Sequence, residues 1–110
     1  MRIEPIAQNK LLILYLLNSI NIQLSELQIL RIVTEKGWLN YFDMKESLFE
    51  LTTSNLVEQR ETPNGTFYVI SELGQNTLLY LKKELRNSWR VAIDDYCETN
   101  RADLRLETEL

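Results

Sequence analysis

The spacing of hydrophobic and polar positions predicts four helices before residue 86, with one pair of strands between the third and the fourth. The first apolar run, Leu11–Leu17, has seven consecutive apolar residues. At about 100° per residue they cover the whole circumference of a helix predicted from Pro5 to about Ser19. A helix that is apolar all round is buried all round, so its cover must come from the C-terminal helix, from a second subunit, or from both. We therefore expect a homodimer in which Leu12 and Leu16 contribute to the interface.

Polar capping residues locate the next two helices. Ser25 and Gln28 have the spacing of a capping box before the second helix, and Gly37 is suited to end it. Asn40 is the expected cap of a third helix, predicted from Tyr41 to about Ser54. The apolar stripe of this third helix is interpreted as core and contains Tyr41, Met44, Leu48 and Leu51, widened by Phe42 and Phe49. The opposite face then carries Asp43, Glu46, Ser47, Glu50 and Thr53.

A hairpin and a fourth helix follow. Leu56–Glu61 and Thr66–Ile70 are predicted strands, and Thr62-Pro63-Asn64-Gly65 between them suits a type I turn closed by a glycine bulge. Ser71 is the expected cap of the fourth helix. Its apolar residues are Leu73, Leu78, Leu79, Tyr80 and Leu81, followed by Leu85.

Residues 86–110 are predicted as a second unit, a C-terminal dimerisation helix and a tail, beside a main domain of residues 1–85. The apolar residues Leu85, Trp89, Ala92 and Tyr96 keep a 4-3-4 spacing with Ile93 beside them, which is typical of an arm that packs on a partner. The tail from residue 101 onwards is consistent with a frayed helix, a strand fragment or disorder. Trp89 and Tyr96 would anchor the dimer interface or, alternatively, line a pocket for a small-molecule effector.

The order helix, link, helix, turn, helix, two strands, helix is that of a winged helix. The segment "SNLVEQRETPNGTFYVISELGQNTL" resembles the same region of PadR-like and MarR-like regulators. "NKLLILYLLNSI" and "LNYFDMKESLFELTTSNLVEQ" more closely resemble an uncharacterised bacterial winged-helix family of unknown function. The resemblance covers residues 6 to about 85. It implies a mainly α (α+β) winged helix-turn-helix with a two-stranded wing and an additional C-terminal helix, in a short or truncated family member.

The resemblance also implies a DNA-binding transcriptional regulator that acts as a homodimer on double-stranded DNA. The third helix would enter the major groove and the wing would contact the backbone. The matching positions on the helix are Asn40, Asp43, Lys45, Glu46, Ser47, Glu50 and Thr53. Those on the wing are Arg60, Thr62, Asn64 and Thr66.

The charge balance changes this picture. The chain has 12 basic and 16 acidic residues and a net charge of −4, whereas proteins that grip phosphates usually carry a basic footprint. Three carboxylates of the third helix facing a duplex would cost on the order of several kcal/mol at low salt. The cations that could compensate are Lys10, Arg31, Lys36 and the cluster Lys82, Lys83, Arg86 and Arg90. The alternative is therefore a winged-helix protein-interaction module with little or no DNA binding.

Composition also bears on other classes of function. The chain has no histidine, which removes Ser–His and Cys–His catalytic pairs, and its single cysteine leaves no zinc site of the usual kind. Three scattered glycines form no phosphate-binding loop. We therefore expect neither an enzyme nor a cofactor. Three features favour a cytoplasmic protein: a single cysteine, no signal peptide, and no apolar run near the ~20 residues of a membrane span.

Overall fold

Helix α1, Pro5–Ile20, forms the centre of the fold, because three later helices and one strand of the sheet pack around it. The structure is a computed structural model, and it describes residues 5–109. Within this range the chain forms five α-helices and one three-stranded antiparallel sheet. The expected mainly helical α+β class is confirmed, and the arrangement is compatible with a winged-helix-like fold.

The remaining elements follow the order that the sequence predicts. The helices are α2 Glu26–Glu35, α3 Tyr41–Thr53, α4 Glu72–Leu81 and α5 Asn87–Glu109, with a 3₁₀ turn at Lys82–Glu84. The strands are β1 Leu24–Ser25, β2 Val57–Thr62 and β3 Gly65–Ile70. Strand β3 lies between β1 and β2, so the two-residue β1, predicted only as an extended link, adds a third strand.

The apolar run of α1 is buried within a single chain. Leu11–Leu14, Leu16, Leu17 and Ile20 are all buried, with α3, α4, α5 and β3 packed around the helix. The predicted burial is therefore observed for six of the seven residues of the run, with Tyr15 half-buried, and the chain provides the cover itself. The argument from α1 for a second subunit is removed by this packing, and the homodimer stays a prediction without it.

Capping groups begin the helices where the sequence places them. The Ser25 and Gln28 capping box is present at α2, and the Asn40 side chain accepts a hydrogen bond from the Asp43 amide at α3. At α4 the Ser71 hydroxyl accepts from the Gly74 amide at 2.9 Å and donates to the Asn55 carbonyl at 2.7 Å. The Ser71 side chain therefore ties the start of α4 to the turn that follows α3.

The segment after residue 100, for which the sequence left three alternatives open, continues α5 as a helix to Glu109. The Arg101 guanidinium donates to the carbonyls of Ser19 and Ile20, the last residues of α1. Leu104 is buried in the core, and Glu107 binds Arg31 of α2 at 2.8 Å. Helix α5 thus packs against α1 and reaches α2 within the same chain.

Candidate interaction surface

The buried face of α3 is centred on Met44, Ser47, Leu48 and Leu51, which follow the i, i+3, i+4, i+7 spacing of one helix side. Ser47 was predicted to face DNA, and this is wrong because its side chain is fully buried. Its hydroxyl has no hydrogen-bond partner among the described residues. Ser47 shares a face with Met44 and Leu51, and its small size lets α3 approach the core closely there.

The outer face of α3 carries two exposed aromatic side chains. Phe42 is 77% exposed and Phe49 is 69% exposed, although the sequence pattern had placed both beside the core. Phe42, Glu46, Phe49 and Thr53 follow at intervals of four, three and four residues, and so form one stripe opposite the buried face. Tyr41 extends this stripe through an edge-to-face contact with Phe42, at 5.5 Å between ring centroids. We call Tyr41, Phe42, Glu46 and Phe49 the α3 aromatic stripe.

The ion pairs around α3 neutralise Glu50 but leave Asp43 and Glu46 without a basic partner among the described residues. Lys45, the one basic residue of the helix, binds Glu26 of α2 at 2.8 Å, and this hydrogen bond raises the Lys45 pKa. Glu50 lies 3.6 Å from Lys10 of α1. Glu46 remains exposed in the middle of the stripe. The two lysines nearest the helix are therefore already paired with carboxylates.

The β2–β3 hairpin also uses its own polar groups. Arg60 lies 3.2 Å from Glu58 on the same strand, and the Thr66 hydroxyl donates to Glu61 at 2.9 Å. The Thr62 hydroxyl donates to the Gly65 carbonyl at 3.0 Å and accepts from the Asn64 amide. Of the four hairpin residues predicted to contact DNA, Asn64 alone has a side chain with no hydrogen bond to the described residues.

The other cations that could compensate for the acidic helix either have partners of their own or lie on another side of α1. Arg31 is held by Glu107, and Lys36 lies over the Tyr96 ring, 5.5 Å from its centroid. Gln8 of α1 binds the backbone of Glu84 and Arg86 at the basic cluster. Lys10 reaches Glu50 of α3 and follows Gln8 by two residues. The side chains of Gln8 and Lys10 therefore point about 200° apart around α1. The cluster Lys82, Lys83, Arg86 and Arg90 is therefore on the opposite side of α1 from α3.

The residues predicted for a dimer interface lie largely inside this chain. Leu12, Leu16, Leu85 and Ile93 are buried in the common core, and Trp89, Ala92 and Tyr96 are half-buried. Tyr96 makes an edge-to-face contact with Trp38, with ring centroids 6.4 Å apart. Arg86 stacks on Trp89 at 4.3 Å. These side chains already have intramolecular partners.

A second apolar surface was missed by sequence reasoning. Helix α4 buries only Gly74 and Leu78, whereas its other large apolar side chains are exposed: Leu73, Leu79, Tyr80 and Leu81. The sequence contained a signal for this exposure, because Gly74 and Leu78 are four residues apart and define one narrow buried face of α4. Tyr80, at 85% exposed, is the most exposed large apolar side chain of the described residues.

The fold and surfaces define a mainly helical α+β protein compatible with a winged-helix-like arrangement. Its sequence matches the family described as Domain of unknown function (DUF4364) over residues 9–110, so the chain belongs to that family. This confirms the resemblance to a family of unknown function and extends it from about residue 85 through α5. No match was found among curated proteins or among solved structures. None of the helices formed by residues 5–109 is long and apolar enough to cross a membrane.

Proposed function

We propose that the chain is a winged-helix protein-interaction module that binds a basic, partly apolar protein surface through α3. The observation that carries this proposal is the α3 aromatic stripe, with Phe42 and Phe49 largely exposed around Glu46. Exposed aromatic side chains are enriched at protein interfaces, where they act as anchors. In a winged-helix protein this stripe occupies the helix face that would otherwise read DNA.

The charges around the stripe indicate the chemistry of the partner. Glu46 lies between the two phenylalanines, and Asp43 and Glu50 border the stripe. The β2 strand adds Glu61, which lies on the same strand face as Gln59, a residue that lines a pocket together with Phe49. A complementary partner presents apolar pockets or side chains for the two rings and lysine or arginine side chains for the carboxylates. An amphipathic basic helix meets both requirements.

A DNA-binding transcriptional regulator is the second candidate. The order of elements favours it, together with the full exposure of the outer face of α3, which is the face that enters the major groove in winged-helix regulators. A carboxylate there can accept a bond from cytosine N4. The paired state of Lys10, Lys45 and Arg60 weighs against it, because few free cations remain to face phosphates on this side. A homodimer remains part of this candidate.

Two probes separate the candidates. The first is an amphipathic helical peptide of leucine and lysine, with a peptide of the same composition and scrambled order as its control. The second is pooled double-stranded DNA fragments, measured by fluorescence anisotropy over a range of salt concentrations. An interaction module binds the amphipathic peptide more tightly than the scrambled one, with backbone amide shifts concentrated on α3.

The variants Phe42→Ser and Phe49→Ser should each weaken peptide binding by roughly tenfold or more, the loss typical of an interface anchor. Leu106→Ser removes an apolar side chain of α5 that is also exposed, at 60%, and should leave binding unchanged. Equal binding of both peptides, or binding unaffected by the phenylalanine variants, would refute the proposal. DNA binding with a steep salt slope and amide shifts on α3 would establish the regulator instead.

A further inference from the structure

A cleft of about 550 Å³ lies between α1, α4 and α5. It falls within the size range of small-molecule sites. Trp89 and Tyr96, the residues that sequence analysis offered for an effector pocket, do not line it. Tyr15 of α1 contributes to its wall. It follows Gln8 by seven residues, so at about 100° per residue the two side chains point within about 20° of each other on the same side of α1. The cleft is therefore on the side of α1 remote from the α3 aromatic stripe.

The charged groups of the cleft are held apart from one another. Arg90 and Asp94 are one turn apart on α5, yet each binds a different neighbour. Arg90 donates to the Asn87 amide oxygen at 2.9 Å, and Asp94 accepts from the Tyr15 hydroxyl at 2.8 Å. Lys82 adds a second cation with no ion pair among the described residues. Two cations and one carboxylate give the cleft a net positive charge in a protein that is acidic overall.

Carboxamide side chains supply the rest of the polar lining. Asn18 of α1 and Gln75 and Asn76 of α4 line the cleft, and their side chains make no hydrogen bonds to the described residues. Each carboxamide offers two N–H donors and one oxygen acceptor. Leu79 and Val91 provide a small apolar portion. The carboxamides can form hydrogen bonds with the hydroxyls of a polyol, and the two cations can bind an anionic group.

We propose that this cleft binds a small polyhydroxylated organic anion, with its charged group at Lys82 and Arg90 and its hydroxyls at the carboxamides. The arrangement is preformed, since hydrogen bonds within the protein already fix Arg90 and Asp94. The site is independent of the interaction proposed for α3 and uses none of its residues.

The test uses four probes: glucose 6-phosphate, gluconate, glucose and inorganic phosphate, each at about 10 mM. Amide shifts in two-dimensional NMR report the location, and titration reports the affinity. Glucose 6-phosphate or gluconate should shift amides around the cleft, and glucose and inorganic phosphate should bind at least tenfold more weakly. Arg90→Gln should weaken that binding at least tenfold. Arg105→Gln removes the same charge from an exposed position of α5 and should leave it unchanged.

Three outcomes would overturn the proposal. One is the absence of cleft shifts with both organic anions. Another is inorganic phosphate binding as tightly as glucose 6-phosphate, which would make the cleft a site for simple anions only. The third is binding that Arg90→Gln and Arg105→Gln weaken equally, which would reflect general charge. A spectrum of Arg90→Gln that otherwise overlays the parent establishes that the variant is folded.

Discussion

Gly74 lies where the first turn of α4 meets the carbonyl group of Leu56. A Cβ atom added there would lie 2.1 Å from the Leu56 oxygen and 2.8 Å from the Ile70 side chain. Because the nearest atom is backbone, it cannot move away without shifting α4 or the hairpin. We expect Gly74→Ala to lower the free energy of unfolding by about 3 kcal/mol, near the upper end of the range for overpacking. Urea unfolding followed by circular dichroism measures this change.

Gly37→Ala is the matched control. Gly37 has φ +68°, with nothing within 4 Å of an added Cβ, so its substitution tests backbone strain without a steric clash. Strain of this kind costs about 1–2 kcal/mol. A loss for Gly74→Ala no larger than that for Gly37→Ala would contradict the close contact between α4 and Leu56.

Cys97 lies on the buried face of α5, and this burial raises its thiol pKa to about 11. The thiolate is the reactive form, so at pH 8 the folded thiol should react with a disulfide reagent roughly 100-fold more slowly than the urea-unfolded chain. Burial favours the neutral thiol in the folded chain. The stabilisation from this neutral thiol is therefore complete below the unfolded pKa of about 8.5 and is lost as the pH rises toward the folded pKa of about 11. Equal reaction rates in the folded and unfolded chain would contradict the burial.

The residues of the candidate surface show why sequence pattern located α3 but not its outer face. Asn40 and the spacing of Met44, Leu48 and Leu51 are local signals, and both are confirmed. Phe42 and Phe49 are apolar, so hydrophobicity alone assigned them to the core. Ser47 is polar, so it was assigned to solvent. Tertiary packing reverses both assignments, because Ser47 lies on the buried face of α3 and the two phenylalanines lie on the opposite, exposed face.

At the scale of elements, α5 depends on a few long-range contacts within a polar sequence. Leu104 is 2% exposed, whereas Leu106, two residues later, is 60% exposed. We expect Leu104→Ala to lower the free energy of unfolding by about 2–5 kcal/mol, the usual range for a buried leucine. Leu106→Ala should change it by less than about 0.5 kcal/mol. The comparison is made by urea unfolding of the two variants.

The same contrast tests whether the end of α5 belongs to the folded core. Similar small losses for both variants would mean that residues after 100 do not pack on α1 and α2 in solution. Hydrogen exchange gives an independent measurement, since amides near Leu104 should be protected almost as well as those near Ile93.

Elements with weak local signals were the ones that sequence analysis missed or left open. Strand β1 has two residues and no alternation, and it exists because Leu24 and Ser25 pair with Tyr68 and Phe67 of β3. The end of α5 is rich in charge, and what holds it is the contact of Arg101 with the end of α1 and of Glu107 with Arg31. Such partners are about 76 to 81 residues away in sequence and leave no local pattern.

At the scale of the whole molecule, α1 separates two surfaces of different character. On one side lies α3 with its exposed aromatic rings, where Glu50 of α3 and Glu26 of α2 already hold the neighbouring lysines. On the other side lie the basic cluster and the cleft bounded by α4 and α5. Among the described residues, Lys82, Lys83, Arg86 and Arg90 make no ion pair, so cations without one lie on the side of α1 remote from α3 in a molecule of net charge −4. This separation is the main physical reason for favouring a protein partner over DNA at α3.

The burial of α1 also makes a prediction about assembly. Leu12 is fully buried among elements of its own chain, so Leu12→Ala should create a cavity and lower the free energy of unfolding by about 2–5 kcal/mol. Because the side chain does not reach the surface, the mass of the folded species in light scattering should equal that of the parent. Tyr80→Ser removes an exposed apolar side chain of α4 and should leave stability within about 0.5 kcal/mol.

If the parent protein is a dimer, the two variants assign its interface. A dimer that Tyr80→Ser dissociates while Leu12→Ala preserves would be formed by the exposed face of α4. Dissociation by Leu12→Ala under conditions where the chain remains folded would contradict the intramolecular cover of α1, since only a subunit contact at that position could produce it. The distinction requires stability and mass to be measured on the same samples, because unfolding and dissociation both reduce the signal of an assembled species.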